Sequence, residues 1–257
     1  MRNAYFAVEG PHDVEVVGRV LVSFHGAKRI QQLHELDQFW RRLIPSSYPP
    51  DGDLLKRVPV PAFFRLENVS VAIHSAIGDS QLARTLVRTL QNIDYEELSA
   101  IAIFCDADAN TASERYSSLM LQVKSEFSDI NLTLEATAPG NVTPINDYLR
   151  FGIHVFPDNM KPGSLETLLM GCADISYPGL LTGARKYVDN VCSSYKTAWS
   201  SSGRPKAIVG CINNILRPGT ANQVSIQHDQ WICPATLATL SSLQRLNTFI
   251  MELLDLP

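Results

Sequence analysis

The sequence predicts an α/β protein with a mostly parallel sheet flanked by helices, and three runs of residues carry that prediction. Ser99 to Cys105 (Ser-Ala-Ile-Ala-Ile-Phe-Cys) is apolar on both faces, the mark of a central parallel strand, and it ends at Asp106-Ala107-Asp108. Ala4 to Val8 is a second such run, stopping at Glu9-Gly10-Pro11 and passing at once into helical spacing. Arg150 to Phe156 is a third, stopping at Pro157-Asp158 ahead of a further helix. A strand followed each time by a helix implies parallel strands with helices on both faces.

Each element has its local reason. Val14, Val17, Val20, Leu21 and Phe24 recur at three- and four-residue spacing, Pro11 suits a first helical turn, and His25-Gly26 ends the helix. Ile30, Leu33, Leu36, Phe39, Trp40 and Leu43 keep helical spacing over residues 28 to 43, and Pro45, Ser46, Ser47, Pro49, Pro50, Asp51 and Gly52 form a loop. Residues 26 to 61 together read as an insertion. Phe63 to Leu66 and Val69 to Ile73 read as short strands, and Asp79 is placed to cap a helix carrying Leu82, Leu86 and Leu90. A helix over Thr111 to Phe127, a strand over Asn131 to Ala136 and a helix opened by Ser164, with Leu165, Leu168 and Leu169 on its apolar side, complete an α/β domain of residues 1 to 171. Residues 172 to 257 read as a helical extension, with helices near 176 to 198, 205 to 216 and 235 to 254 broken by Ser200-Ser201-Ser202-Gly203 and Pro218-Gly219. The leucine-rich face of Leu237, Leu240, Leu243, Leu246, Ile250 and Leu253 serves as intramolecular core or, alternatively, as a homodimer seam.

Composition excludes whole classes of protein. Across 257 residues, 45% hydrophobic and 19% charged is ordinary globular usage, which rules out collagenous and wholly disordered chains. With 22 Lys and Arg against 26 Asp and Glu, the formal charge of −4 gives no global field to draw in a polyanion, so such a partner must be held locally. Five dispersed cysteines without a CxxC pair fit neither a disulfide framework nor a thiolate zinc site, and a reducing cytoplasm is the expected compartment. Tyr5-Phe6-Ala7-Val8 is interrupted at once by Glu9 and nowhere do eighteen predominantly apolar residues run together, so neither secretion nor membrane spanning is expected.

The residues just beyond the strands are acidic, at the position where parallel sheets bind ligands. Glu9 follows the first strand, Asp106 and Asp108 the central one and Asp158 a later one, with Ser164 and Glu166 opening the next helix. Carboxylates brought to one place repel each other unless a hard cation neutralises them, and oxygen-only donors suit magnesium or manganese. The six histidines, His12, His25, His34, His74, His154 and His228, show no HExxH or HxH spacing and read as incidental polar groups, His12 alone lying near the acids.

Val8-Glu9-Gly10-Pro11-His12-Asp13 after a first strand and Ile103-Phe104-Cys105-Asp106-Ala107-Asp108 after a central one resemble the signature of the Toprim (topoisomerase-primase) domain. The stretch Phe156 to Glu166, with Pro157-Asp158-Asn159 before Gly163-Ser164-Leu165-Glu166, resembles overcoming-lysogenization-defect nucleases and a stand-alone bacterial Toprim-like family. The resemblance spans residues 3 to 170. It implies a Toprim-like fold in which Glu9 binds metal or acts as general acid or base, Asp13 assists it, and Asp106 and Asp108 bind Mg2+ or Mn2+. Ser164 and Glu166 would help hold a second ion, and Lys161 would stabilise charge on a phosphate oxygen. Asp158 joins the metal set by its strand-end position alone.

The function so implied is divalent-metal-dependent phosphodiester hydrolysis of DNA or RNA with one or two ions, in phage defence or nucleic-acid processing. The chain lacks GxxxxGK, so any ATPase would be a separate partner. Two alternatives stand beside it: a non-catalytic Toprim module that binds nucleic acid or a protein partner, and a haloacid-dehalogenase-like phosphatase with Asp106 as nucleophile and Asp108 as acid and base.

Overall fold

A computed structural model describes residues 1–46, 60–76, 78–127 and 132–257. The fold is α/β. A seven-stranded sheet runs in the order β2-β3-β4-β1-β5-β7-β6, formed by β1 (Arg2–Val8), β2 (Lys28–Ile30), β3 (Ala62–Arg65), β4 (Val69–Ser75), β5 (Leu98–Asp106), β6 (Val142–Pro144) and β7 (Arg150–Phe156). The central four, β4, β1, β5 and β7, are parallel, and the antiparallel members lie at the two margins. The Glu9, Asp106 and Asp158 ends of β1, β5 and β7 therefore meet at one rim.

Strand alternation divides the core in two. Ala4, Phe6, Val8, Ala102 and Phe104 face one side, covered by α1 (Pro11–His25), α4 (Leu165–Ser176), α5 (Pro178–Asn190), α6 (Gly203–Leu216), α7 (Asn222–His228) and α9 (Ser241–Leu254). Tyr5, Ala7, Ile101 and Ile103 face the other, covered by α2 (Leu82–Asn92) and α3 (Ala112–Glu126). Residues 172 to 257 are helical, with the short α8 (Pro234–Thr239) preceding α9, and they share one buried cluster with the sheet. Phe249 of α9 lies edge-on to Phe104 at 5.6 Å, over Gly152, where any Cβ would stand 2.6 Å from the Phe249 ring. Leu243, Leu246, Ile250 and Leu253 are buried in the same cluster. Among the described residues no helix is long and apolar enough to cross a membrane.

Several expected elements differ. Residues 28 to 43 are not a helix: Lys28–Ile30 pair antiparallel with β3, and Leu33–Glu35 and Gln38–Leu43 are 3-10 turns. The helical spacing there reflects how the segment folds onto the sheet, where Trp40 is fully buried and its indole N–H donates to Ser70 Oγ (2.7 Å). Of the loop from Pro45 to Gly52, Ser47 onward lies outside the described residues. Residues 132 to 136 are not a strand, and Asn131 lies outside the described residues; the margin strand is β6 instead. Asp79 does not cap α2, because its carboxylate is taken by Arg115. The expected helix over 176 to 198 divides at Tyr177 and stops at Asn190, and α7 joins the expected helices.

Candidate acid pocket

The pocket is built where strands hand over to helices. At the end of β1, Asp13 Oδ2 accepts the Gly10 N–H (2.8 Å), which turns the first helical turn of α1 so that its acids face the rim. Glu9 reaches across to the next strand, its Oε1 accepting the Asp106 N–H (2.9 Å). Asp106 reaches onward, its Oδ1 accepting the Leu165 N–H (2.8 Å) at the start of α4. Ser164, the N-cap residue of α4, donates its hydroxyl to Glu166 Oε2 (2.8 Å), and Glu166 Oε1 stands 3.9 Å from His12 Nδ1. A chain of carboxylates bound to N–H and O–H donors thus links β1, β5 and α4. Glu9, Asp13, Asp106 and Glu166 line one cavity of about 540 Å3, to which Lys206 and Val209 of α6 and Asn222 of α7 also contribute.

Their electrostatics are uneven. Burial, followed by the charges of Glu9 and Glu166, pushes the Asp13 carboxyl well above the usual carboxylate range. Asp106 is pushed the same way by burial and then by Asp13, Glu9 and Glu166. Glu9 is also raised by burial, against the Asp106 N–H and the nearby Arg115 guanidinium. Burial raises Glu166 too, but His12, Ser164 and Lys206 outweigh it and leave its carboxyl below the ordinary value. Such a cluster calls for protons or a cation.

A match to the family model DUF3226, described as a protein of unknown function, covers residues 3–254. The chain belongs to the DUF3226 family. The match runs from β1 to α9 and so takes in both the acid pocket and the helices that contribute to it. A crystal structure of hypothetical protein PH0156 from Pyrococcus horikoshii OT3 shares the fold at 15% identity and a TM-score of 0.60, over 97% of this chain and 100% of that one. No curated protein matches the sequence.

In this DUF3226 chain the strand-end acids divide into two groups. Glu9, Asp13, Asp106 and Glu166 meet in the cavity, with Ser164 behind Glu166. Asp108, Asp158 and Lys161 do not line it. Asp108 has a left-handed backbone (φ 53) and exchanges N–H···O bonds with Gly163 (2.7 and 2.8 Å), leaving its side chain exposed. Asp158 Oδ1 accepts the N–H groups of Met160 (3.1 Å) and Lys161 (2.8 Å), so it shapes the turn in which Lys161 is exposed. Among the described residues no group of three or more His, Cys, Asp or Glu stands at metal-ligating geometry; Glu9, Asp13 and Asp106 each turn one oxygen onto a backbone N–H.

Three lining residues, and Arg115 beside them, were not assigned to the pocket from the sequence. His12, read from spacing as incidental, lines the cavity, and Lys206 and Asn222 arrive from helices distant in sequence, for which no local motif exists. Arg115 had a signal. It interrupts the buried stripe Ala112, Leu119, Met120 and Val123 of α3, and a buried arginine requires an anionic partner. It donates Nε–H to the Asp106 carbonyl (3.0 Å) and Nη2–H to Glu9 Oε1 (3.4 Å), and it pairs with Asp79.

Proposed function

We propose that the chain is a Toprim-like, divalent-metal-dependent phosphodiester hydrolase acting on DNA or RNA. One observation carries this reading: four carboxylates from β1, α1, β5 and α4 share a cavity at the carboxyl rim of a parallel sheet, and burial with mutual repulsion raises Asp13 and Asp106 together. The donor set is all oxygen and fits magnesium or manganese. A bound ion would polarise the phosphoryl oxygen and supply a hydroxide-like water near neutral pH.

The chain's own residues do the rest. Glu9, Asp13, Asp106 and Glu166 would hold the cation, with Ser164 fixing the Glu166 carboxylate. Lys206 faces the acids from α6 and offers positive charge to a phosphate oxygen. The helical region it belongs to carries seven Lys and Arg against five Asp and Glu over residues 172 to 257, so a polyanion meets its less acidic side there. The phosphatase alternative needs Asp106 and Asp108 at one reacting atom, whereas Asp108 is turned out of the cavity.

The test is cleavage of plasmid DNA and of RNA with Mn2+ by the full chain. Wild type is expected to cleave at least one of them, and Glu9→Gln and Asp106→Asn are expected to lose activity by about a thousandfold, comparable to removing one preorganised catalytic contact. Undiminished cleavage by both variants would sink the assignment.

A further inference from the structure

We propose that single-stranded nucleic acid docks along α5 and α6 and is led from there to the acid pocket; this deepens the reading above by naming the substrate strand, and rests on it for what happens at the acids. Charge separates this stretch from the rest of the chain. Residues 178 to 206 carry five basic side chains, Arg185, Lys186, Lys196, Arg204 and Lys206, against the one acid Asp189, a net +4. Taking these from the 22 basic and 26 acidic residues of the whole chain leaves 17 against 25, a net −8. A polyanion that the rest of the protein repels is therefore favoured here.

The cations of that stretch converge in space. Arg204 holds Asp189 by two bonds (both 2.8 Å), and Lys196 Nζ–H donates to the Asp189 carbonyl (3.2 Å). The Arg204 bond, and after it the charges of Lys196 and Arg185, keep the Asp189 carboxyl below its ordinary value, so three positive groups gather around one acid and leave charge over for phosphates. Lys196 also lies over the Trp199 ring (5.7 Å), and the neighbouring Tyr195 is 77% exposed, a flat ring on which a base can stack. From there α6 carries the path inward. Arg204 and Lys206 are two residues apart and so about 200° around the helix axis; Arg204 meets α5, and Lys206 lines the acid pocket, where its charge acts on Glu9 and Glu166. The outer face between them carries Ala207 and Gly210, and a Cβ at Gly210 would meet nothing within 4 Å, so the surface there is open. The pocket itself, about 540 Å3, has the size of a small-ligand cleft. A phosphodiester reaches its acids on a single strand, not within the body of a duplex.

Binding in the absence of metal tests this. The full chain is titrated in EDTA with fluorescent oligothymidylate and oligouridylate of about 20 nucleotides, and with a duplex of the same length, over a series of salt concentrations. At least one single strand is expected to bind about tenfold more tightly than the duplex, and Tyr195→Ala to weaken that binding about tenfold, the loss of one stacked base. Arg185→Gln combined with Lys196→Gln is expected to flatten the slope of log affinity against log salt by about 1.4, two phosphate contacts at about 0.7 each. Asp189→Asn removes the one acid and is expected to tighten binding; both side chains of its pair with Arg204 are about half exposed, so the fold loses little. Equal binding of duplex and single strand would overturn the inference, as would an unchanged salt slope in the double variant. Cleavage with Mn2+ by a protein that shows no preference for single strands would overturn it while leaving the hydrolase reading standing. Single-strand binding that responds to these substitutions, without cleavage, would sustain it and sink that reading.

Discussion

Two buried ionisable sites lie on the same side of the sheet, two residues apart in the β5–β7 register, and burial favours the neutral form at both, by proton release from His154 and by proton retention at Asp106. At the Phe104–His154 pair, His154 is fully buried among Phe104, Phe156 and Phe249, with ring centroids 6.0, 5.1 and 5.5 Å away. Burial pushes its pKa down to about 3, so it is neutral at physiological pH. At the Asp106–Phe156 pair the chain reaches the rim, and Asp106, also buried, has an N–H donor, an arginine within reach of its carbonyl and three other carboxylates around the same cavity. In a hydrocarbon cage a titratable group gives up its charge. At the rim burial likewise holds protons on Asp13 and Asp106, but neighbouring carboxylates and fixed donors leave a site where an added cation can take the place of those protons.

Acid exposes the first half of the contrast and gives the largest expected effect. The unfolded chain protonates His154 near pH 6.5 and the folded chain only near pH 3, so stability present above pH 6.5 is lost as pH falls through that interval. The loss from this one group reaches about 5 kcal/mol. His154→Leu, which has no such proton to bind, is expected to lose correspondingly less between pH 7 and pH 4 in urea unfolding. An equal loss in both proteins would show that the cage does not hold the histidine neutral.

The rim runs the other way. Asp13 and Asp106 are raised, so the metal-free folded state holds protons that the unfolded state releases, and stability falls as pH climbs from the ordinary carboxylate range through their raised values. Mn2+ should reverse that fall, by about 3 kcal/mol at a hundredfold excess over its dissociation constant. In thermal unfolding at pH 8, Asp106→Asn is expected to be more stable than metal-free wild type and to gain little from Mn2+. A wild type indifferent to both pH and Mn2+ would remove the contrast.

How much of each region was legible follows from the range over which its contacts form. β5 could be read because both its faces are apolar, and α1 because Pro11 and Gly26 punctuate it, Gly26 taking the left-handed conformation (φ 67) that closes the helix. Glu9 and Asp106 were visible because each stands at a strand end and Glu166 because it opens the next helix, whereas Asp13 was implied by the Toprim resemblance. The segment over 28 to 43 misled because Trp40 and Leu36 are buried against the sheet from 3-10 turns, where helical spacing arises without an α-helix. β6 is three residues long, too short to show alternation. Lys206 and Asn222 reach the pocket only through the packing of α6 and α7, which no local pattern records. The aromatic cage was equally hidden: His154 read as an incidental polar group, since nothing near it in sequence announces Phe104 or Phe249.

The smallest expected effect turns the cage toward the chemistry of the rim. Asn159 has a left-handed backbone (φ 64), its Oδ1 accepts the Val155 N–H (2.7 Å), and its Nδ2 therefore faces His154 Nδ1 (3.0 Å) as the donor. That bond leaves the ring proton on Nε2, which has no partner among the described residues. Asn159→Asp keeps the acceptor for Val155 and tolerates the backbone, but it meets Nδ1 with an oxygen. The ring must then carry its proton on Nδ1, so Nε2 loses its unpartnered hydrogen, and the new negative charge favours a second proton. The net stability change at pH 7 is expected within about 1 kcal/mol, the gain at one nitrogen offsetting the cost of a partly buried carboxylate. The proton should move measurably: imidazole nitrogen resonances should report Nδ1–H in the variant and Nε2–H in the wild type, with the pKa raised above about 3. An unchanged tautomer and pKa would mean that the aromatic cage, and not its polar neighbour, alone decides the state of His154.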